Sequence, residues 1–366
     1  MSWNCLTAER KVRVGLVDNV KSITLKLEDF GDLYVQLRNS KIEKFKRIEK
    51  FEIVLLPSGK VKLVGVSKKD YYLPVILSAS KNFVLKNKIY EGQLEIISQK
   101  SGFGVVNVLK LENYIYGVVP YEIDSDFTDE MIKVQAIIAR TYAVANIGRH
   151  KNDGYDFCST VHCQVYKGVS VDKMQRIKQL VDFTKGLVVV DDNDRPIQTY
   201  YHAACGGWIE NVEEIWMGVN KISYLNKKRC GYCHKSPYYE WSFTIDKKKL
   251  GMLLSSSLDG ANKIVDIRIL DRTATGRAKL LEITTDKNVA AFSANKFREI
   301  VGYNRVKSTM FKEIRVLSNE IVINGYGWGH GVGLCQWGAN YMTLMGKKFD
   351  QVIKFYYPGT KIKKYE

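Results

Sequence analysis

The sequence predicts an α+β fold, rich in β-structure, with a central helix, an N-terminal β lobe and a β-rich C-terminal region. Three patterns point to it. Apolar and polar residues alternate through the first hundred positions, the period of half-buried strands. Between Asp129 and Ile147 apolar residues recur every three or four positions, the period of a helix with a buried face. From about Phe243 to Val316 the strand-like pattern returns. With 366 residues, 45% of them hydrophobic, the chain can bury one large core or two modest ones. The expected division is a β-rich region over 1–100 and a second domain over 101–366, with about 243–318 as a β-rich insertion.

Taken in order, Val12-Val14-Leu16, Ile23-Leu25-Leu27 and Leu33-Val35-Leu37 read as strands. Pro57-Ser58-Gly59-Lys60 reads as a hairpin turn between Phe51–Leu56 and Val61–Val66. Leu94–Ile97 and Gly104–Leu109 continue the β pattern. In the helix that follows, Met131, Val134, Ile137, Ile138, Tyr142 and Ala145 form the apolar face, and Thr128 or Asp126 caps its first amides. A loop over 151–168 is rich in Cys, His and Tyr. A second helix is expected over Val171–Lys185, strands around Tyr200-Tyr201-His202, and short helices near Lys247–Ser255 and Ser293–Val301. A glycine-rich loop spans Gly325–Gly338.

Glu122 is placed on a turn begun by Pro120, just ahead of the central helix. Among apolar neighbours and an aromatic ring its ionised form is disfavoured, which suits a general acid. The plainer alternative is a solvated carboxylate beside the positive end of the helix. Lys133 and Arg140, seven residues apart, share a helix face with each other. They can bind saccharide oxygens or a carboxylate, or Arg140 can pair structurally with a buried acid.

Three motifs make the alternatives unequal: Val119-Pro120-Tyr121-Glu122 with Lys133-Val134-Gln135-Ala136-Ile137-Ile138-Ala139-Arg140-Thr141-Tyr142-Ala143; Tyr201-His202-Ala203-Ala204-Cys205-Gly206-Gly207 with Glu210-Asn211 and Trp216; and Gly327-Trp328-Gly329-His330-Gly331-Val332-Gly333-Leu334-Cys335-Gln336-Trp337-Gly338-Ala339 with Tyr356-Tyr357-Pro358-Gly359-Thr360. In this order they resemble the stage II sporulation protein D (SpoIID) family. The resemblance implies a lytic transglycosylase that cuts peptidoglycan glycan strands, with Glu122 as its acid and 101–366 as the catalytic domain. Lys133, Gln135, Arg140, Tyr201, His202, His330, Gln336 and Trp337 are the expected substrate contacts, with aromatic rings stacking on sugar faces. The glycines of the third motif can also serve backbone geometry alone. Asp124, Asp126 and Glu210 remain candidate helpers.

Such chemistry needs no cofactor. The expected partners are glycan strands, preferably stripped of stem peptides, and a wall amidase acting before this protein. Action is expected outside the cytoplasm, in the space between forespore and mother cell if the role is in sporulation. A non-catalytic module that enhances a wall amidase is the alternative. The formal charge of +17 fits a basic surface meeting the lactyl carboxylates of bared glycan; the scattered lysines show no nucleic-acid signature. No apolar run reaches the roughly 18 residues a membrane helix needs. The start, Met1-Ser2-Trp3-Asn4-Cys5, is no signal peptide, so a membrane anchor is not expected within this chain.

Seven cysteines are present. Cys158, His162, Cys163, Cys230, Cys233 and His234 are candidate ligands of a structural zinc, because Cys230-Gly231-Tyr232-Cys233 has knuckle spacing and histidines accompany the thiols. Disulfides in an oxidising compartment and buried free thiols are the alternatives. Cys205 and Cys335 have no assigned role.

Overall fold

The alternating segments of the N-terminal half assemble into one eleven-stranded sheet. Its strands are Lys11–Val20, Ser22–Gln36, Ile42–Leu55, Val61–Val64, Asp70–Tyr71, Val75–Ala79, Phe83–Leu85, Lys88–Tyr90, Gln93–Ser98, Phe103–Lys110 and Phe157–Cys158. The last of these adds in parallel beside Lys11–Val20, pairing Gly15 with Cys158; the neighbouring pairs are antiparallel. The sheet exists because one side-chain set per strand is apolar: Val12, Val14, Leu25, Leu33, Val35, Ile53, Val75, Leu77, Leu94 and Ile96 are fully buried. The hairpin at 57–60 forms as expected, with the Leu56 amide donating to the Lys60 carbonyl at 2.8 Å and Gly59 at φ +78°. The two strands expected over 23–27 and 33–37 are one continuous strand.

In this computed structural model residues 10–169, 174–216, 218–258 and 263–365 are described. The chain divides into two units, 1–198 with 362–366, and 199–361. The boundary expected near residue 100 falls inside the first unit, between Gln93–Ser98 and Phe103–Lys110. Those strands pair in register from Phe103–Ser98 to Val108–Gln93, so no division is open there.

Among the described residues three α-helices complete the first unit: α1 (Leu111–Glu122), α2 (Asp129–Ala145) and α3 (Met174–Phe183), the last being the described part of the helix expected over 171–185. Helix α1 grows directly out of the strand ending at Lys110. It contains Pro120, and Glu122 is its last residue rather than part of a turn. Pro120 sits in the last turn of α1, where it lacks the amide that would otherwise bond the Tyr116 carbonyl, and the helix ends two residues later. Thr128 caps α2, its Oγ1 accepting the Met131 amide at 3.2 Å. Helix α2 is buried around nearly its whole circumference, not on one face alone, because α1, α3 and the strand Leu187–Val190 enclose it. Ile132, Ala136, Ala139 and Ala143 join the sheet core.

Arg140 lies at the centre of this enclosure. It is 1% exposed, and its Nε and Nη2 donate to the two carboxylate oxygens of Glu112 on α1, both at 2.8 Å. Nη1 donates to the Leu187 carbonyl at 3.1 Å. The bidentate pair ties α1, α2 and the strand at 187–190 together, which is the structural alternative for Arg140.

The second unit is built around a separate core, in which Leu250, Leu254, Ile264, Leu281, Ile283, Phe297 and Ile321 are fully buried or nearly so. After α4 (Val212–Ile215), strands Glu240–Asp246, Glu320–Tyr326 and Phe311–Val316 form one sheet, and Ile264–Arg272, Ala278–Thr285 and Val289–Ser293 form another. Helices α5 (Lys247–Leu254) and α6 (Ala294–Val301) begin at Asp246 and Ser293, whose side chains accept the first amides. The stretch 243–318 lies within this core. Helices α7 (Gln336–Leu344) and α8 (Phe349–Tyr356) follow.

Removing one partner of a buried ion pair strands the other charge. Glu112→Gln and Arg140→Met are each expected to destabilise the first unit by about 3–5 kcal/mol, while the Glu112→Leu/Arg140→Met double variant loses clearly less than the sum. Denaturant unfolding of the three variants checks this; additive losses would contradict the pairing.

Candidate active site and metal centres

Glu122 is half-buried at the end of α1, and its Oε1 accepts the backbone amide of Val165. The segment that supplies this amide is laid tightly over α1. The Lys167 amide donates to the Gly117 carbonyl at 3.3 Å, and Tyr114 donates its hydroxyl to Gln164 Oε1 at 3.2 Å. Gly117 is required there: a Cβ would come within 2.3 Å of the Tyr166 ring. Beside Glu122, the ring of Tyr121 carries the Lys167 ammonium at 5.1 Å from its centroid. Asp124 and Asp126 are exposed in the α1–α2 connection, where Asp124 Oδ1 accepts the Asp126 amide at 3.1 Å.

The other first-unit candidates divide. Lys133 is half-exposed, paired with Glu130 at 2.8 Å and set over the Phe183 ring at 4.4 Å. Gln135 and Arg140 are buried inside the helix cluster. Neither presents itself to a polysaccharide, because the all-round packing of α2 closes over them.

Cys158, His162 and Cys163 come together in the segment leading to Val165, and His150 joins them. His162 Nδ1 lies 3.7 Å from each sulfur and 3.2 Å from His150 Nε2. The other His150 nitrogen, Nδ1, is held by Asp153 at 2.8 Å. Tetrahedral zinc, with Zn–S of about 2.3 Å and Zn–N of about 2.0 Å, sets ligand atoms roughly 3.3–3.8 Å apart. The donor set and spacing therefore fit such an ion, and the carboxylate behind His150 is the usual second partner of a ligating imidazole. A hydrogen bond from Cys163 draws Cys158 down to about 3, and the same contact with burial pushes Cys163 up.

The expected single metal site does not form as one group. Cys230 and Cys233 stand in the second unit with Cys205 and Cys335, all four buried. His234 points away: it is exposed, its Nδ1 lies 3.2 Å from the Gly231 carbonyl, and its ring meets Tyr341 at 5.5 Å. Cys5 lies outside the described residues. The six described cysteines carry free thiols.

In the second unit the second and third motifs meet. Tyr201 and His202 pair in parallel with Leu334 and Cys335, and the Trp328 amide donates to the Ala204 carbonyl at 2.7 Å. Such close layering leaves no room for side chains at 329 and 333: a Cβ on Gly329 would meet His202 Cβ at 2.5 Å, and one on Gly333 the Tyr200 carbonyl at 2.1 Å. The histidines are fixed by backbone. His330 donates from Nε2 to the Tyr201 carbonyl at 2.9 Å and accepts the Val332 amide at Nδ1 at 3.0 Å. Burial pushes its pKa down to about 3, helped by the Arg298 charge, so the ring is neutral. His202 bonds the Val332 carbonyl through Nδ1 at 3.1 Å, and burial holds it neutral too. Its Nε2 is buried without a hydrogen-bond partner among the described residues. The Trp216 ring lies tilted against His330, 5.0 Å between centroids.

Gln336 is buried, whereas Tyr201, Trp328 and Trp337 are half-exposed. The structure adds two residues that the motifs did not single out. Tyr238 stands edge-on to Trp328 at 4.6 Å and to Trp337 at 6.2 Å, and the Lys307 ammonium lies over both Tyr238 and Trp328, at 5.2 and 5.1 Å. Rings with a cation among them suit an anionic sugar. Glu210 is fully buried; it accepts its neighbour's amide and the Thr275 hydroxyl, a structural arrangement.

Comparison with known proteins follows the same residues. Positions 99–190, which include Glu122 and the His150–Cys163 cluster, match the family described as Stage II sporulation protein, SpoIID. Positions 213–333 match a domain family of unknown function, DUF8618. The chain is 31% identical over 272 residues to stage II sporulation protein D of Bacillus subtilis (strain 168), covering 70% of this chain and 75% of the relative. It is 32% identical over 308 residues to an uncharacterized protein of Brachyspira hyodysenteriae, covering 84% and 80%. The amidase enhancer of B. subtilis is 24% identical over 301 residues, covering 68% of this chain and 40% of the relative. On the extent of these matches, the chain belongs to the stage II sporulation protein D family.

Proposed function

We propose that the protein is a lytic transglycosylase of peptidoglycan glycan strands, acting outside the cytoplasm, with Glu122 as its only acid and base. The placement of Glu122 carries the reading. Its carboxyl group ends α1, where the helix dipole favours the protonated form, and accepts the Val165 amide, which steadies the anion. A group that gives up a proton and then recovers one needs support in both states. Glu122 protonates the bridging oxygen as the bond from the anomeric carbon of muramic acid breaks. The 6-hydroxyl of the same residue then attacks that carbon, and its proton passes to the Glu122 carboxylate. Intramolecular attack outcompetes water by its high effective concentration. Two-carboxylate hydrolysis needs a second acid placed for a water, which this scheme does not.

The rings of Trp328, Trp337 and Tyr238 with Lys307 support recognition of a sugar carrying a free lactyl carboxylate, with Tyr201 and His202 on the strand that pairs with Leu334 and Cys335. A stem peptide turns that carboxylate into a neutral, bulkier amide. The partner implied is thus a wall amidase that bares the strand first. The family relative named as an amidase enhancer favours one second reading, a non-catalytic module that assists such an amidase. We also propose a structural zinc on His150, Cys158, His162 and Cys163, holding the segment whose Val165 amide meets Glu122.

Glu122→Gln keeps the shape and removes the proton. Strand cleavage is expected to fall by about 10²–10⁴-fold with the thermal unfolding midpoint unchanged; full cleavage by this variant would contradict Glu122 as the acid and base, and no cleavage by the unsubstituted protein would favour the enhancer reading. Denuded strands should be cut faster than peptide-bearing ones, and equal rates on the two substrates, compared by chromatography of released fragments, would contradict carboxylate recognition. Cys158→Ser should lose one equivalent of zinc and melt at lower temperature, while its folded fraction still cleaves. Cleavage lost with the fold intact would mean that the metal governs Glu122 itself.

A further inference from the structure

Cys205, Cys230, Cys233 and Cys335 come from three places in the sequence and converge to sulfurs all within 4.8 Å of one another, the Cys205–Cys233 separation being 3.4 Å. Each is brought there by a different constraint. Cys335 is the N-cap of α7, placed beside residue 202 by the parallel pairing. Cys205 follows that pairing directly. Cys230 is drawn in by its amide donating to the Gly207 carbonyl at 2.9 Å, and Cys233 is three residues on, on a short 3-10 turn.

We infer that these four cysteines form a closed tetrathiolate site for a structural zinc ion. Four buried sulfurs in mutual contact, with two from a C-x2-C knuckle, are the donor set of such centres. Their surroundings are those of thiolates. Amides of Cys205 and Gly338 donate to Cys335 Sγ at 3.3 and 3.4 Å, and the Tyr356 hydroxyl lies 3.4 Å from Cys230 Sγ. Gly338 leaves the needed space: a Cβ there would come within 2.7 Å of Cys230 Sγ. Arg277 is fully buried, donates from Nη2 to the Cys205 carbonyl at 2.7 Å, and has Nε and Nη1 without hydrogen-bond partners among the described residues. A zinc ion with four thiolates carries two net negative charges, a counter-charge for this buried cation beside that of Glu210. Binding releases the four thiol protons to solvent and involves no change of oxidation state. Four thiolates fill the tetrahedral shell and leave no open position for an activated water, so the role is to fix the meeting of the Tyr201–Gly207 and Gly327–Ala339 motifs. The inference is independent of the glycan chemistry.

The Cys158→Ser/Cys163→Ser variant, purified without added metal or chelator, isolates this site. It is expected to retain one zinc per chain, with an X-ray absorption spectrum showing a first shell of four sulfurs. Cobalt exchanged into the same variant should give the charge-transfer bands of tetrahedral thiolate coordination. Adding Cys233→Ser should remove that metal and lower the melting temperature. A variant without stoichiometric metal, a mass lower by the four hydrogens of two disulfides, or a first shell containing nitrogen would overturn the assignment. Because the cobalt and absorption readouts use the variant that keeps all four cysteines, misfolding of the Cys233→Ser form would not rescue a failed result.

Discussion

The buried pair between Glu112 and Arg140 sets the frame on which the first unit depends. Two charges with almost no access to water are tolerable only where each finds the other in good geometry, and here both carboxylate oxygens are met. The pair joins the start of α1 to the last third of α2, and the Leu187 carbonyl closes the guanidinium on its third side. With α1 fixed at its beginning, its end is fixed as well, since a helix of 12 residues is a stiff rod. Glu122 thereby stands at a defined place, against the amide of Val165. The arginine of the motif thus bears on Glu122, the proposed acid, through a helix.

A second constraint runs through the other unit. The chain at 200–207 lies between two turns of the glycine-rich segment, so close that backbone replaces side chain at several positions. This layering fixes the neutral tautomer of His330 by backbone partners on both nitrogens. It also carries Cys335 to Cys205. The same close approach therefore positions both the rings of Trp328 and His330 and the four-cysteine cluster, and requires glycine at every second position from 327 to 333.

Much of this was legible in the sequence where local rules decide. The alternation at 11–37, the turn at 57–60 and the Thr128 cap rest on neighbours in sequence and are found as expected. Pro120 misled, because proline suggests a turn, whereas here it lies inside the last turn of α1, which packing against α2 and α3 holds helical. The one-face reading of α2 failed because burial on the remaining faces depends on α1, α3 and the strand at 187–190, none of which periodicity within α2 records. Arg140 was ambiguous for a similar reason: its partner Glu112 lies 28 residues away. Cys205 and Cys335 carry no spacing signal at all, being joined across 130 residues by strand pairing. His150 could have been found by extending the cysteine–histidine count twelve residues upstream of His162.

The central claim, that one carboxyl group cleaves glycan without water, is tested most directly by the mass of the products. Denuded glycan strands digested by the purified protein and analysed by mass spectrometry should yield fragments ending in 1,6-anhydro-muramic acid, each lighter by one water than a hydrolysis product. Fragments with ordinary reducing ends would contradict the account, because they would require an activated water and a second group to activate it.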